Sequence, residues 1–180
     1  DSRIDICRIN GSSYAYEIKT EYDTFDRLGS QMQDYLRTFE KVYVIVPIGR
    51  VNDVKNLIPE SCGIISYRIT KNREVVFSYQ KCAQKNCCDI KFCLDSLSSG
   101  DMSYLLKLLN EKDFKTRADK RTRLLQIAAT RSIWTPYRKL LRHKYADQWR
   151  FITEHFDQIL PVDIQSFFSS KMDPNLLYAK

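Results

Sequence analysis

Two short segments of alternating polarity lie on either side of a turn near the start of the chain. Arg3 to Ile9 and Tyr14 to Thr20 both follow a largely alternating apolar and polar pattern, which is the period of a half-buried strand. Asn10-Gly-Ser-Ser13 between them is a strong turn signal. The two strands are therefore predicted to form an antiparallel hairpin.

The hairpin brings together charged residues that are distant in sequence. With the turn centred on Gly11, Asp5 and Glu17 are equally far from the centre and should face each other. Lys19 shares the Glu17 face, because side chains two apart in a strand point the same way. Two neighbouring carboxylates with a lysine could hold a divalent cation, which prefers oxygen ligands. The alternative is a set of ordinary cross-strand ion pairs.

The period changes from Thr24 onward. Apolar residues recur at steps of three and four as far as Phe39, which predicts an amphipathic helix capped by Asp23 or Thr24. Val42 to Val46 is a continuous apolar run ended by Pro47, typical of a strand buried on both faces. Further elements are predicted at Val51 to Ile58 (helix), Cys62 to Ile69 (strand) and Glu74 to Tyr79 (strand).

The pattern changes character after Tyr79. A Cys-rich stretch leads into helical periodicity that continues nearly to the end of the chain. The predicted fold class is α/β, a mixed sheet flanked by helices and followed by a C-terminal all-helical region. The predicted boundaries are a core at 1–80, a Cys-rich connector at 81–100 and a basic helical region at 101–180.

The positive charge of the chain is concentrated in its helical part. The chain has a net charge of +7, and residues 111–150 contain twelve Lys or Arg against four acidic residues. A basic helical face attracts polyanions by counterion release. The alternative is a solvated helical surface with no dedicated ligand. Trp134, Tyr137, Tyr145 and Trp149 lie in the same region and could stack on bases or pack in a core.

Six cysteines occur, four of them between Cys82 and Cys93. Structural zinc sites favour two separated pairs of ligands, whereas Cys87 and Cys88 are adjacent, so reduced thiols are the preferred interpretation. No stretch approaches the length of a membrane span, and the first residues form no signal peptide. These features predict a cytoplasmic protein without a membrane partner.

The order of the motifs resembles a known superfamily. Ser2-Arg-Ile-Asp5, a short turn, Tyr16-Glu-Ile-Lys19, a helix with Gln31 and the buried strand Val42 to Val46 resemble the PD-(D/E)XK nucleases. The stretch Asp23-Thr-Phe-Asp-Arg-Leu28 makes the chain most similar to a small, poorly characterised bacterial family of that superfamily.

The resemblance implies a restriction-endonuclease-like core and an Mg²⁺- or Mn²⁺-dependent endonuclease that cuts DNA. Asp5 and Glu17 would be metal ligands, with the Ile18 carbonyl as a third. Lys19 would be the catalytic lysine, and Gln31 would point into the site. Many members have a further acidic ligand upstream of the first strand, and the sequence begins too late to contain it.

The same interpretation predicts that basic residues contact the nucleic acid. DNA is favoured over RNA by analogy with the family. The predicted contacts are Arg3, Arg27, Lys120, Arg121, Arg123, Arg138 and Arg142. The competing hypothesis is a non-catalytic module that holds nucleic acid, or a partner or inhibitor protein, on the same scaffold. The sequence does not specify an oligomeric state.

Overall fold

A computed structural model describes residues 4–160 of the 180-residue chain. Its sheet has five strands in the order β1-β2-β3-β4-β5. The strands β2, β3 and β4 are parallel, and the two edge strands pair antiparallel with their neighbours. The strands are β1 (Ile6–Asn10), β2 (Ser12–Ile18), β3 (Lys41–Pro47), β4 (Gly63–Ile69) and β5 (Val75–Lys81). The predicted α/β class, the mixed sheet and the helical C-terminal part are confirmed.

Seven α-helices occur in the described part of the chain. They are α1 (Leu28–Leu36), α2 (Val51–Lys55), α3 (Ile90–Asp95), α4 (Ser99–Leu108), α5 (Arg117–Thr130), α6 (Trp134–Lys144) and α7 (Ala146–Glu154). In sequence, α1 connects β2 to β3 and α2 connects β3 to β4, whereas the other five follow β5. The predicted helical periodicity beyond residue 160 lies outside the described residues.

The first helix starts later than predicted. It begins at Leu28 with Arg27 at its N-cap, so neither Asp23 nor Thr24 caps it. The Asp23 carboxylate instead accepts hydrogen bonds from the Thr20 N–H at 2.7 Å and the Thr20 hydroxyl at 2.6 Å. Asp23 therefore closes the loop that leaves β2. The second helix is also shorter than predicted, since it ends at Lys55.

The first core lies between one face of the sheet and helices α1 and α2. Ala15, Val42 and Val44 from the strands pack with Leu28 and Met32 from α1, and all five are fully buried. Alternate residues of the strands face this core, because side chains of a strand alternate between its two sides. The opposite face of the sheet therefore depends on a different set of residues, described below.

A second core joins helices α3 to α6, and it begins inside the predicted Cys-rich connector. Asp89 caps α3 by accepting from the N–H groups of Lys91 and Phe92, and Cys93 in that helix is fully buried. All six cysteines are free thiols. The described residues contain no group of three or more His, Cys, Asp or Glu that could hold a metal ion. The division into a core at 1–80, a connector at 81–100 and a helical region at 101–180 stays a prediction.

A buried carboxylate connects the two cores. Glu40, just before β3, accepts hydrogen bonds from the Ser13 N–H and from the Arg138 guanidinium of α6, each at 2.9 Å. Lys85 lies 3.5 Å from the other Glu40 oxygen. Helix α6 is thereby held at the end of the sheet where β3 begins.

Within residues 4–160, no helix combines the length and the apolar character that a membrane crossing requires.

Candidate functional site

The hairpin has the predicted register. Ile6 pairs with Tyr16 and Asn10 with Ser12, and Gly11 at the tip has a φ of 70°, a left-handed conformation that glycine adopts readily. Asp5 precedes β1 and accepts a hydrogen bond from the Ile18 N–H at 2.8 Å. The turn thus places the Asp5 carboxylate beside the end of β2.

Glu17 is the centre of a buried polar network. Its side chain faces α1, and the residue is only 3% exposed. One carboxylate oxygen accepts from Lys19 Nζ at 2.8 Å and from Gln31 Nε2 at 2.9 Å, and the other accepts from the Tyr35 hydroxyl at 2.7 Å. Lys19 Nζ also donates to Gln31 Oε1 at 3.2 Å. The structure therefore brings together the predicted residues Glu17, Lys19 and Gln31.

Sequence reasoning missed Tyr35, although its position was informative. It lies four residues after Gln31, so both side chains project from the same face of α1. Burial raises the pKa of the Tyr35 phenol, and the hydrogen bond to Glu17 raises it further. Tyr35 consequently remains a protonated donor to the carboxylate.

The Glu17 carboxylate already has a cationic partner in this network. A cation between two carboxylates would offset their repulsion, but the Lys19 ammonium already contacts Glu17. The pKa of Asp5 is raised, first by partial burial and further by the charge of Glu17, although the Ile18 N–H opposes this shift. Binding of Mg²⁺ or Mn²⁺ by Asp5, Glu17 and Ile18 stays a prediction, and the position of Lys19 argues against it.

The second feature is the other face of the sheet, where Tyr43, Ile65 and Ala83 form a small buried cluster that includes no helix residue. We call it the tyrosine face; it is formed by the alternate residues of β1 to β5 that point away from α1 and α2. Its aromatic residues are Tyr14, Tyr16, Tyr43, Tyr67, Phe77 and Tyr79. The faces of parallel strands are normally covered by helices, so a face on β2, β3 and β4 whose buried cluster contains no helix residue is unusual.

Neighbouring rings on this face are ordered. The Tyr14 and Tyr16 planes differ by 7° and those of Tyr16 and Tyr43 by 16°, with ring centroids 6.4 and 5.7 Å apart. The Tyr43 ring lies over Gly63, where an added Cβ would overlap it. Gly63 thus provides the space in which Tyr43 lies against the sheet. Tyr79, 67% exposed, contacts the edge of Tyr43.

Cations border the same face. The Arg8 guanidinium lies 4.2 Å from the centroid of the Tyr14 ring, and Lys41 Nζ lies 5.7 Å from that centroid. Glu17 is the only acidic residue in the five strands, and it faces the opposite side. The tyrosine face is therefore aromatic and basic, with no carboxylate from its own strands.

Most of the basic residues predicted to contact nucleic acid have internal partners instead. Lys120 is buried and donates to Ser103 Oγ at 2.6 Å. Arg121 pairs with Asp95, Arg123 with Glu111, and Arg138 with Glu40. These ion pairs lower the charge that the helical region presents to a ligand. Arg27 and Arg142 are exposed, and Arg3 lies outside the described residues. Nucleic-acid contact by all seven stays a prediction.

The aromatic residues of the helical region divide between core and surface. Tyr137 is 3% exposed and meets Trp134 edge to face, whereas Trp149 is 65% exposed. His143 stacks on Tyr104, with ring centroids 4.5 Å apart. The core interpretation thus holds for Tyr137.

Comparison with known proteins changes the family assignment. The family model described as "Bacteriophage P4 protein cII" matches residues 1–167. A curated relative, "Protein cII" of Enterobacteria phage P4, is 29% identical over 75 residues. That match covers 42% of this chain and 28% of the relative, so it spans little more than a quarter of the curated protein. No solved structure matches the chain.

The resemblance to PD-(D/E)XK nucleases was therefore wrong, because the family match points to a bacteriophage family instead. The inferred hydrolase activity and the description as a bacterial endonuclease are wrong for the same reason, and so is a module on a nuclease scaffold. Short motifs such as Glu-x-Lys on a strand occur in many unrelated proteins. Since the family model matches nearly the whole length, the chain belongs to the bacteriophage P4 protein cII family.

Proposed function

We propose that this chain binds single-stranded nucleic acid, DNA in the first instance, on its tyrosine face without cutting it. The observation that carries the proposal is the sheet face with ordered tyrosine rings and the exposed Phe77 and Tyr79, bordered by Arg8 and Lys41. Unpaired bases stack on aromatic side chains, and a basic border attracts the phosphate backbone.

The aromatic side chains support stacking. Tyr79 and Phe77 are 67% and 60% exposed, so a base could reach either ring without rearrangement of the sheet. Tyr16 and Tyr43 lie behind them in nearly parallel planes and hold the platform in place. Rigid rings on strands lose little conformational freedom on binding, which favours affinity.

The distribution of charge supports a polyanion. Arg8 stacks on Tyr14, and a stacked guanidinium keeps its N–H groups in its own plane, where they can reach phosphate. The strands supply no acidic side chain to this face. A protein partner of neutral chemistry would gain nothing from this border of cations.

The proposal is tested by fluorescence anisotropy with a labelled oligo-dT and, in parallel arms, oligo-U and a DNA duplex. We expect the single strands to bind more tightly than the duplex and affinity to fall with salt. Tyr79→Ala should weaken binding about 5- to 150-fold, the effect of losing one stacked base. Arg8→Gln should reduce the magnitude of the salt slope by about 0.7.

Two matched controls accompany these variants. Tyr79→Phe keeps the ring and should bind nearly as wild type does. Trp149→Ala removes an aromatic residue that is 65% exposed in α7, outside the five strands, and should have no effect. If neither single strand binds at low salt, or if Trp149→Ala weakens binding as much as Tyr79→Ala, the proposal is wrong. If neither single strand binds, a protein becomes the expected ligand of the tyrosine face.

A further inference from the structure

The edge strand β5 has the features of a pairing surface. It runs from Val75 to Lys81 and pairs with β4 along one side, and no other strand in residues 4–160 lies along its outer side. An edge strand presents a row of N–H and C=O groups that another strand can use. Natural proteins usually protect such an edge with charged residues, proline or a covering element.

Those protections are missing along most of β5, and the bulge in its pairing with β4 lies near its end, at Gln80. Residues 75–80 contain no charged residue and no proline. Val75, Phe77 and Tyr79 are each more than half exposed, and Val76 is 36% exposed. The opposite edge differs, because β1 is two residues shorter, carries Arg8 and lies against α6. The outer side of β5 is therefore the better candidate for strand addition.

The β5 sequence is also complementary to itself. In an antiparallel pair centred on Ser78, Phe77 of each copy faces Tyr79 of the other, and the bulge at Gln80 lies outside this central part of the pair. Aromatic residues directly opposite each other stabilise an antiparallel pair. Lys81, the only cation of each strand, lies beyond the bulge at the end of the pair. The arrangement contains no opposed like charges.

We propose that two copies of this chain associate through β5, forming one continuous ten-stranded sheet. Closed two-fold symmetry is the commonest arrangement of soluble oligomers, and it satisfies the outer edge of both strands at once. The tyrosine faces of the two copies would then lie on the same side of the joined sheet. The pairing does not depend on nucleic-acid binding and stands without it.

The proposal is tested by placing a charged residue at Ser78, where the two copies of β5 would cross the two-fold axis. The wild-type chain should sediment as a dimer at concentrations approaching about 1 mM. Ser78→Lys places two lysines directly opposite each other and should raise the dimer dissociation constant about fivefold. Ser78→Glu should do the same. A mixture of the Ser78→Lys and Ser78→Glu variants should recover wild-type association, because opposite charges then meet across the centre.

Two controls separate pairing from folding. Ser78→Thr keeps a neutral strand-forming residue and should dimerise as wild type does. Circular dichroism and thermal melting show whether each variant is folded, and recovery in the mixture is itself incompatible with a folding defect. A wild-type chain that stays monomeric at about 1 mM would overturn the proposal. Dimers that are equally stable in the separate and mixed variants would overturn it too, since association would then use another surface.

Discussion

Removal of the Lys19 ammonium is the sharpest test of the buried network. Lys19→Met keeps much of the apolar stem of the side chain but removes the cation 2.8 Å from Glu17. The Glu17 carboxylate would remain buried, with hydrogen bonds from Gln31 and Tyr35 but without its ion pair. An uncompensated buried charge destabilises the folded state much more than the pair stabilises it.

The magnitude follows from burial. Breaking a buried ion pair by removing one partner costs about 3–5 kcal/mol. The Lys19 side chain is 13% exposed and two donors to Glu17 remain, which places the expected loss at the lower end, about 3 kcal/mol. Adding Glu17→Gln to Lys19→Met removes the buried charge, so the double variant should lose only about 1 kcal/mol.

Urea unfolding monitored by circular dichroism measures these differences. The denaturation midpoint should fall for Lys19→Met while the slope stays constant, since the surface exposed on unfolding is unchanged. Lys91→Met, at an exposed lysine of α3, is the matched control and should stay within about 0.5 kcal/mol of wild type. If Lys19→Met is as stable as this control, Lys19 does not neutralise Glu17.

Three further predictions follow from other parts of the molecule. Burial raises the pKa of Glu40, but the Ser13 N–H and the Arg138 and Lys85 cations outweigh it and hold that pKa below its ordinary value. Glu40 therefore stabilises the fold above its unfolded-state pKa and loses this effect as pH falls through its folded-state pKa. Arg138→Met should cost about 2–3 kcal/mol in urea unfolding at neutral pH and less in acid, and a pH-independent cost would contradict this. Gly63→Ala places a methyl group against the Tyr43 ring and should cost about 1–3 kcal/mol in thermal unfolding, so unchanged stability would refute the close contact. Titration calorimetry with Mn²⁺ should give no heat, because a lysine already neutralises the carboxylate network, and binding that is lost in Glu17→Gln would restore the metal-site prediction.

The local geometry could be read from the sequence because turn chemistry and strand period are short-range. Gly11 fixed the hairpin register, and that register placed Asp5 beside β2. The spacing of α1 allowed Gln31 to reach Glu17. The start of α1 was placed four residues too early, because Asp23 bonds Thr20 rather than the helix. A capping residue that has two possible partners cannot be assigned from the sequence.

The chemistry of the site could not be read in the same way. Two carboxylates and a lysine suit a metal ion or an ion pair equally, and the sequence alone could not show that Lys19 lies 2.8 Å from Glu17. The ion pairs of Arg121, Arg123 and Arg138 could not be foreseen either, because their acidic partners, Asp95, Glu111 and Glu40, come from distant parts of the chain. The tyrosine face depends on register between strands, which is a long-range property.

Cross-linking to a single-stranded oligonucleotide tests the central claim most directly. An oligo-dT containing photoreactive 4-thiothymidine would be irradiated with the wild-type chain, and the modified residues identified by mass spectrometry. The account predicts cross-links on the exposed aromatic residues of the tyrosine face, Phe77 and Tyr79 above all. Cross-links confined to α5, α6 and α7, with none on β1 to β5, would contradict it.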